Sequence, residues 1–150
     1  MILNRQRELR VVLRPLESFL RRVKRELGLQ QSDVTVCLVS DAAMARLNQS
    51  FRKKKGPTDV LSFPSVTRHR PVRLPRRSRA NSGKREELGE IAISPATARR
   101  YAKKHGRPIA AELRVLMLHG VLHLLGYDHE TDRGEMDKIE QKLRKRLGLT

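Results

Sequence analysis

Apolar residues recur along the chain in two periods, and the switches between them mark out the elements. Residues 2 to 6 form a short edge strand. Val12, Leu16, Phe19, Leu20, Val23 and Leu27 then return at helical spacing, with Arg14, Arg21, Arg22, Lys24 and Arg25 on the other faces. This is an amphipathic helix covering a sheet, ended near Gly28. Val34 to Val39 is β-branched and apolar and predicts a well-buried strand. Ser40 or Asp41 can cap a helix with Ala43, Met44 and Leu47 inward, running out between Asn48 and Phe51.

A Gly56-Pro57 turn leads into a strand from Asp59 to Phe63, and Leu88 to Ile93 supplies another. Ser94-Pro95 is a helix start, with the serine as cap and proline in the first turn, for a helix from Ala96 to His105. Pro108 opens the next helix in the same way. Its apolar residues, Leu113, Leu116, Met117, Val121, Leu122 and Leu125, cover much of its circumference, so it should be the central, most buried helix. Thr131 or Asp132, the latter in an Asp-x-x-Glu box with Glu135, caps a last helix with Met136, Ile139, Leu143 and Leu147 inward. The order β-α-β-α-β-β-α-α-α predicts an α+β fold, a mixed sheet of about four strands covered by helices. The 150 residues fit one domain, residues 1–150, with one hydrophobic core.

Charge changes this picture more than composition does. The formal net charge is +17, and from Arg52 to Arg107 there are seventeen Lys or Arg against four acids. That excess argues for a polyanionic partner, because neutralising phosphates releases counterions. Residues 66–85 hold eight Lys or Arg and no acid, and read as a flexible basic loop. The run Arg52-Lys53-Lys54-Lys55 before the Gly-Pro turn is a candidate substrate-facing loop, in which Arg52 can grip a phosphate bidentately as a lysine cannot. No apolar run is long enough to span a membrane, and no secretory signal is read at the start. The lone Cys37 excludes an internal disulfide; it reads as core packing in a reducing, cytoplasmic setting rather than as a thiolate.

The candidate chemistry lies in Leu118 to His129, where three of five histidines fall within eleven residues. His119 and His123 are four apart and share a helix face. Gly126 can stop the helix and let the chain bring His129 back. Three converging imidazoles suit one zinc ion with a fourth position open. The spacing H-x3-H-x2-G-x2-H is the metal skeleton of one class of zinc proteases, but Gly120 stands where that class has its glutamate base. Glu112, two turns before His119, can orient an imidazole, reach the metal, or pair with an arginine. Asp59, Glu90 and Asp128 are candidate proton acceptors, with Asp128 alternatively fixing a histidine tautomer. Tyr127 and Phe51 are read first as packing and second as base-stacking residues.

Three blocks resemble the YbeY family of bacterial endoribonucleases: Leu47-Asn48 with Arg52 and Pro57-Thr58-Asp59-Val60-Leu61-Ser62-Phe63-Pro64; Leu88-Gly89-Glu90-Ile91 with Ile93-Ser94; and Glu112 with His119 to His129, then Met136 and Glu140. The chain departs from the family at Lys55, where an acid is usual, at Glu90, and in the enlarged basic loop. The resemblance implies zinc held by His119, His123 and His129, and Arg52 as the functional arginine beside the metal cleft. It implies a single-strand-specific endoribonuclease maturing the 3′ end of 16S ribosomal RNA and serving ribosome quality control. Expected partners are ribosomal RNA, the small ribosomal subunit and ribosome-associated proteins, with no membrane. The rival readings are a metal-dependent peptidase and a non-catalytic ribosome assembly factor with a structural zinc.

Overall fold

The computed structural model describes residues 1–65, 85–128 and 133–149. The elements appear in the expected order: β1 (Ile2–Asn4), α1 (Leu13–Glu26), β2 (Ser32–Leu38), α2 (Asp41–Arg52), β3 (Val60–Pro64), β4 (Glu86–Ile93), α3 (Pro95–Lys104), α4 (Ile109–Leu124) and α5 (Glu135–Arg146). The strands form one mixed sheet in the order β1-β2-β4-β3. β1 and β2 are parallel, β2 and β4 are parallel, and β3 runs antiparallel on the far edge. This is the expected α+β fold.

Strand alternation sorts the side chains between the two faces of the sheet. Val34, Val36, Leu38, Ile91 and Ile93 meet α1, α4 and α5 in the main core. Val39, Leu61 and Ala92 meet Met44 of α2 in a smaller cluster on the opposite face, joined by Cys37, Leu47 and Phe63. β2 is therefore not buried throughout as its composition implied: every second residue is only half-buried. Cys37 is one of these, and burial pushes its thiol up, with Arg5 opposing and Glu90 adding to the shift. A raised thiol fits packing rather than a reactive thiolate.

The basic loop expected over 66–85 lies outside the described residues as far as position 84. Its last residue, Arg85, is tied down by Asp33 at 2.7 Å and by the carbonyls of Gln30 and Ser32. Two helix starts also differ from expectation. Pro108 is itself the cap of α4, one position earlier than read. α5 is capped by Gly134, with no side-chain cap, so the expected Asp132 box does not start it; the Glu135 carboxylate accepts from Arg133 N instead. Among the described residues no helix is long and apolar enough to cross a membrane.

α4 is the central helix, and ten of its sixteen residues are buried. It lies close on β4 because Gly120 faces the sheet: a Cβ there would stand 2.8 Å and 2.9 Å from Ile91 Cγ2 and Cδ1. Ile91 is fully buried and β-branched, so it has little room to yield. Beyond the ends of β2 and β4, Asp41 joins α2 to α3. Its carboxylate accepts from the Ser94 and Thr97 hydroxyls, each at 2.6 Å, and from Arg100 at 2.9 Å. Burial alone would raise the Asp41 carboxyl; these hydrogen bonds and the Arg100 charge outweigh it and hold it below the usual range.

Both contacts can be tested by substitution. An alanine in a helix interior normally stabilises by about 1 kcal/mol over glycine, but overpacking a core costs about 1–3 kcal/mol. Gly120→Ala is therefore expected to destabilise by about 1 kcal/mol in urea denaturation, and Ile91→Ala to cost less in that background than in the wild-type chain. A gain in stability from Gly120→Ala would show that the helix can lift off the sheet. Asp41, with a folded pKa below its unfolded value, contributes stability that is complete above the ordinary carboxylate range and lost as pH falls through the folded pKa. Asp41→Asn should lower stability at neutral pH by about 1–2 kcal/mol and flatten the acid limb of the stability curve; a parallel curve would contradict this.

Candidate functional site

α4 is stopped as the sequence indicated. Gly126 takes φ of 99°. Its N–H bonds the His123 carbonyl at 3.0 Å, and Tyr127 N–H bonds the Leu122 carbonyl at 3.1 Å. These two bonds are the glycine-ended helix stop that closes the last turn. Just before it, His119 and His123 stand one turn apart with their Nε2 atoms 3.0 Å from each other. The rings meet edge to face, with centroids 4.5 Å apart and planes at 72°.

The other nitrogen of His119 decides its tautomer. His119 Nδ1 lies 3.2 Å from Glu140 Oε1, a carboxylate carried across from α5. An ionised carboxylate can only accept, so in the neutral ring Nδ1 carries the proton and Nε2 keeps its lone pair. Glu140 is buried, and its second oxygen stands 3.8 Å from Arg144 Nη2. Two nitrogens at zinc-bonding distance on a tetrahedral ion are about 3.3 Å apart, close to the spacing found here. A carboxylate behind a metal-binding imidazole is the usual arrangement for fixing such a ring. His119 and His123 thus fit a zinc ion as two of its ligands. The third expected ligand, His129, lies outside the described residues, and among the described residues no three His, Cys, Asp or Glu side chains form a metal-binding group.

Glu140 is a site residue to which the sequence alone assigned no role. Its signal was legible: Met136, Glu140, Leu143 and Leu147 fall at helical spacing on the buried stripe of α5, and an acid inside such a stripe needs a partner. Glu112 takes the arginine alternative. Arg107 Nε stands 3.3 Å from its Oε2, within ion-pair range although not aligned for a hydrogen bond. Gly120 supplies no base, and a side chain there would press against Ile91.

The cationic turn sits elsewhere on the sheet. Arg52 ends α2, and Lys53 follows in the left-handed conformation with φ of 54°. Arg52, Lys53, Lys54 and Lys55 are all exposed and make no ion pair with a described residue. Asn48 holds the turn from beneath, with its Nδ2 donating to the Gly56 carbonyl at 2.9 Å and its backbone carbonyl accepting from Lys54 N. β3 separates this turn from the histidines. Phe63 packs edge-on against Phe51 of α2, centroids 4.9 Å apart, while the adjacent Ser62 donates to the Gly120 carbonyl of α4 at 3.2 Å. The structure therefore brings His119 and His123 together and places Arg52 with the three lysines around the edge strand from them. Of the candidate proton acceptors, Glu90 shares its face of β4 with Ala92, away from α4. The Asp59 carbonyl accepts from Ser94 N, and its carboxylate lies 3.5 Å from the Thr58 hydroxyl. Asp128 is half-buried. Tyr127 packs on the core, as expected, whereas Phe51 is largely exposed.

Comparison with known proteins now bears on this arrangement. The family model described as endoribonuclease YbeY matches residues 2–148. The chain belongs to the YbeY endoribonuclease family. A YbeY from Solibacter usitatus is 42% identical over 134 residues, covering 89% of this chain and 78% of the relative. One from Nautilia profundicola is 42% identical over 121 residues, covering 81% of this chain and 76% of the relative. The solution structure of the Thermotoga maritima protein TM1509 aligns with a TM-score of 0.63 at 28% identity, covering 98% of this chain and 89% of that one. Membership of the YbeY family supports an endonuclease, and hence hydrolase, role.

Glu140 is expected to hold His119 in the Nδ1–H tautomer. Imidazole nitrogen chemical shifts in the metal-free protein should report Nδ1 as protonated, and Glu140→Ala should move His119 to a tautomer mixture. Glu140→Gln, whose amide oxygen still accepts, should retain the Nδ1–H form. An unchanged spectrum in Glu140→Ala would show that the carboxylate does not set the tautomer.

Proposed function

We propose that this chain is a zinc-dependent, single-strand-specific endoribonuclease that matures the 3′ end of 16S ribosomal RNA and serves ribosome quality control in the cytoplasm. The observation that carries the metal part is the pair of Nε2 atoms of His119 and His123, 3.0 Å apart, with Glu140 behind one ring. The substrate part rests on YbeY membership and on the net charge of +17. Its partners are ribosomal RNA, the small ribosomal subunit and ribosome-associated proteins.

In this reading His119, His123 and His129 hold one zinc ion. When bound, zinc supplies a Lewis acid that stabilises charge on phosphate oxygens and acidifies water. Glu140 fixes the ring of His119, so the ligand needs no reorganisation during the reaction. Arg52 grips the scissile phosphate by two parallel N–H bonds and opposes the negative charge that grows on its oxygens. Lys53, Lys54 and Lys55 hold the flanking backbone as point charges. The Gly120 position opposes the peptidase reading, because the glutamate base of that chemistry is missing and a side chain there would press against Ile91.

The test incubates zinc-loaded protein with a single-stranded precursor of the 16S 3′ end, with the same sequence in a duplex, and with unstructured peptides. Cleavage of the single strand alone is expected. Arg52→Ala should slow it by about 10²–10³-fold, the usual loss when one transition-state donor is removed, and Arg52→Lys should recover only part. His123→Ala should remove bound zinc, read by elemental analysis, while circular dichroism stays native. Peptide cleavage with intact RNA would sink this reading. Normal ribosomal RNA maturation in cells carrying only folded His123→Ala protein would instead favour the assembly factor.

A further inference from the structure

The outer side of α3 carries a charged surface that the candidate site does not use. From Ser94 to Ala111 there are five Lys or Arg and no acid. Two of them are committed: Arg100 to Asp41 at 2.9 Å and Arg107 to Glu112 at 3.3 Å. Arg99, Lys103 and Lys104 are exposed and make no ion pair with a described residue. Like charges four apart on a helix repel, as Arg99 with Lys103 and Arg100 with Lys104 do here. The negative end of the helix dipole favours Lys103 and Lys104 but does not reach back to Arg99. The fold gains nothing evident from Arg99.

An aromatic pair lies on the same helix. Tyr101 is 42% exposed and its ring lies nearly parallel to that of His105, with centroids 6.5 Å apart and planes at 13°. Lys104 is its neighbour three residues on. Unpaired cations on the same helix as an exposed, stacked ring are what a single-stranded nucleic acid uses: cations for the phosphates and a flat face for a base. An acidic protein would use the cations and leave the rings idle. A membrane-surface helix needs an apolar face turned outward, but Ala96, Ala98 and Ala102 are turned inward and buried.

Resting on the endoribonuclease reading above, we propose that the outer side of α3, through Arg99, Lys103, Lys104 and Tyr101, is a second RNA-binding surface that takes single-stranded RNA flanking the cut. α3 passes through Gly106 and Pro108 into α4, the helix that carries His119 and His123. Ile109 and His119 are ten residues apart, about 15 Å along the helix. The exposed cations of α3 thus sit on a different element from the histidines. The α3 surface adds length to the bound strand rather than chemistry at the cut.

The test uses the full chain and a labelled single-stranded RNA, with affinity measured over a salt series. A triple variant, Arg99→Gln with Lys103→Gln and Lys104→Gln, is expected to weaken binding by roughly tenfold or more at about 0.1 M salt. It should also reduce the slope of log affinity against log salt by about 2, from about 0.7 for each phosphate deprived of its cation. Tyr101→Ala should weaken binding several-fold without changing the slope. A control triple on the exposed side of α5, Lys138→Gln with Lys142→Gln and Lys145→Gln, removes the same charge and should leave the slope in place. Equal losses from the two triples, or none from α3, would overturn the proposal whether or not the protein cleaves RNA. α3-dependent binding without cleavage by the wild type would uphold the surface and sink the nuclease. A wild type that binds no RNA would sink both. Binding to phosphatidylserine vesicles that falls with the α3 triple, with RNA binding unmoved, would assign the surface to a membrane and overturn the proposal.

Discussion

The contact of Gly120 with Ile91 governs the geometry of the site. Without a side chain at position 120, α4 lies flush on β4, and its inward face is filled by the sheet. His119 and His123 then point along one flank of the helix, the flank that α5 borders through Glu140. Ser62 on the edge strand donates to the carbonyl of the same glycine, so β3, β4 and α4 are locked at one level. The same contact selects the chemistry. A helix this close disfavours a glutamate after its first histidine, and the skeleton of a zinc protease stands here without the base of one.

Among the described residues the cations divide into those with a carboxylate partner and those without, and the division says more than the sum. Arg85, Arg100 and Arg146 are paired with Asp33, Asp41 and Glu26, where they tie elements to one another, while Arg107 and Arg144 pair with Glu112 and Glu140 nearby in sequence. Lys53, Lys54, Lys55, Arg99, Lys103 and Lys104 are exposed and hold nothing together. A cation with a carboxylate partner has little attraction left for a phosphate, whereas an unpaired one is free to displace the counterions around it. Among the described residues, exposed cations of this second kind are the ones a polyanion can use.

Much of the fold was legible because the signals were local. The order of nine elements followed from period and punctuation, and Ser40, Ser94 and Gly126 act at the ends where their chemistry placed them. The errors came where a local rule met a tertiary demand. The Val34 to Val39 run looked wholly buried, but the sheet has a large core on one face and a small one on the other, so Cys37 is only half covered. The α5 cap was read on side chains, yet the chain enters that helix through Gly134 with φ of 95°. The histidine pair was readable from spacing alone. Its partner was not, because Glu140 is 21 residues from His119 and joins it only when α5 docks on α4.

Lys53 gives a separate physical reason to place binding at the cationic turn. It is the only non-glycine with positive φ among the described residues, and it sits at the end of α2, where glycine would adopt the same backbone without steric cost. A non-glycine in that conformation costs roughly 1–2 kcal/mol. Asn48 holds the strained turn by two hydrogen bonds, one to Gly56 and one to Lys54. Meeting that cost to carry an exposed ammonium that pairs with no described residue makes little sense for stability. It makes sense if the side chain meets a phosphate. Strain at a binding turn is sustained by the structure around it, and here that structure is the last turn of α2, which also presents Arg52.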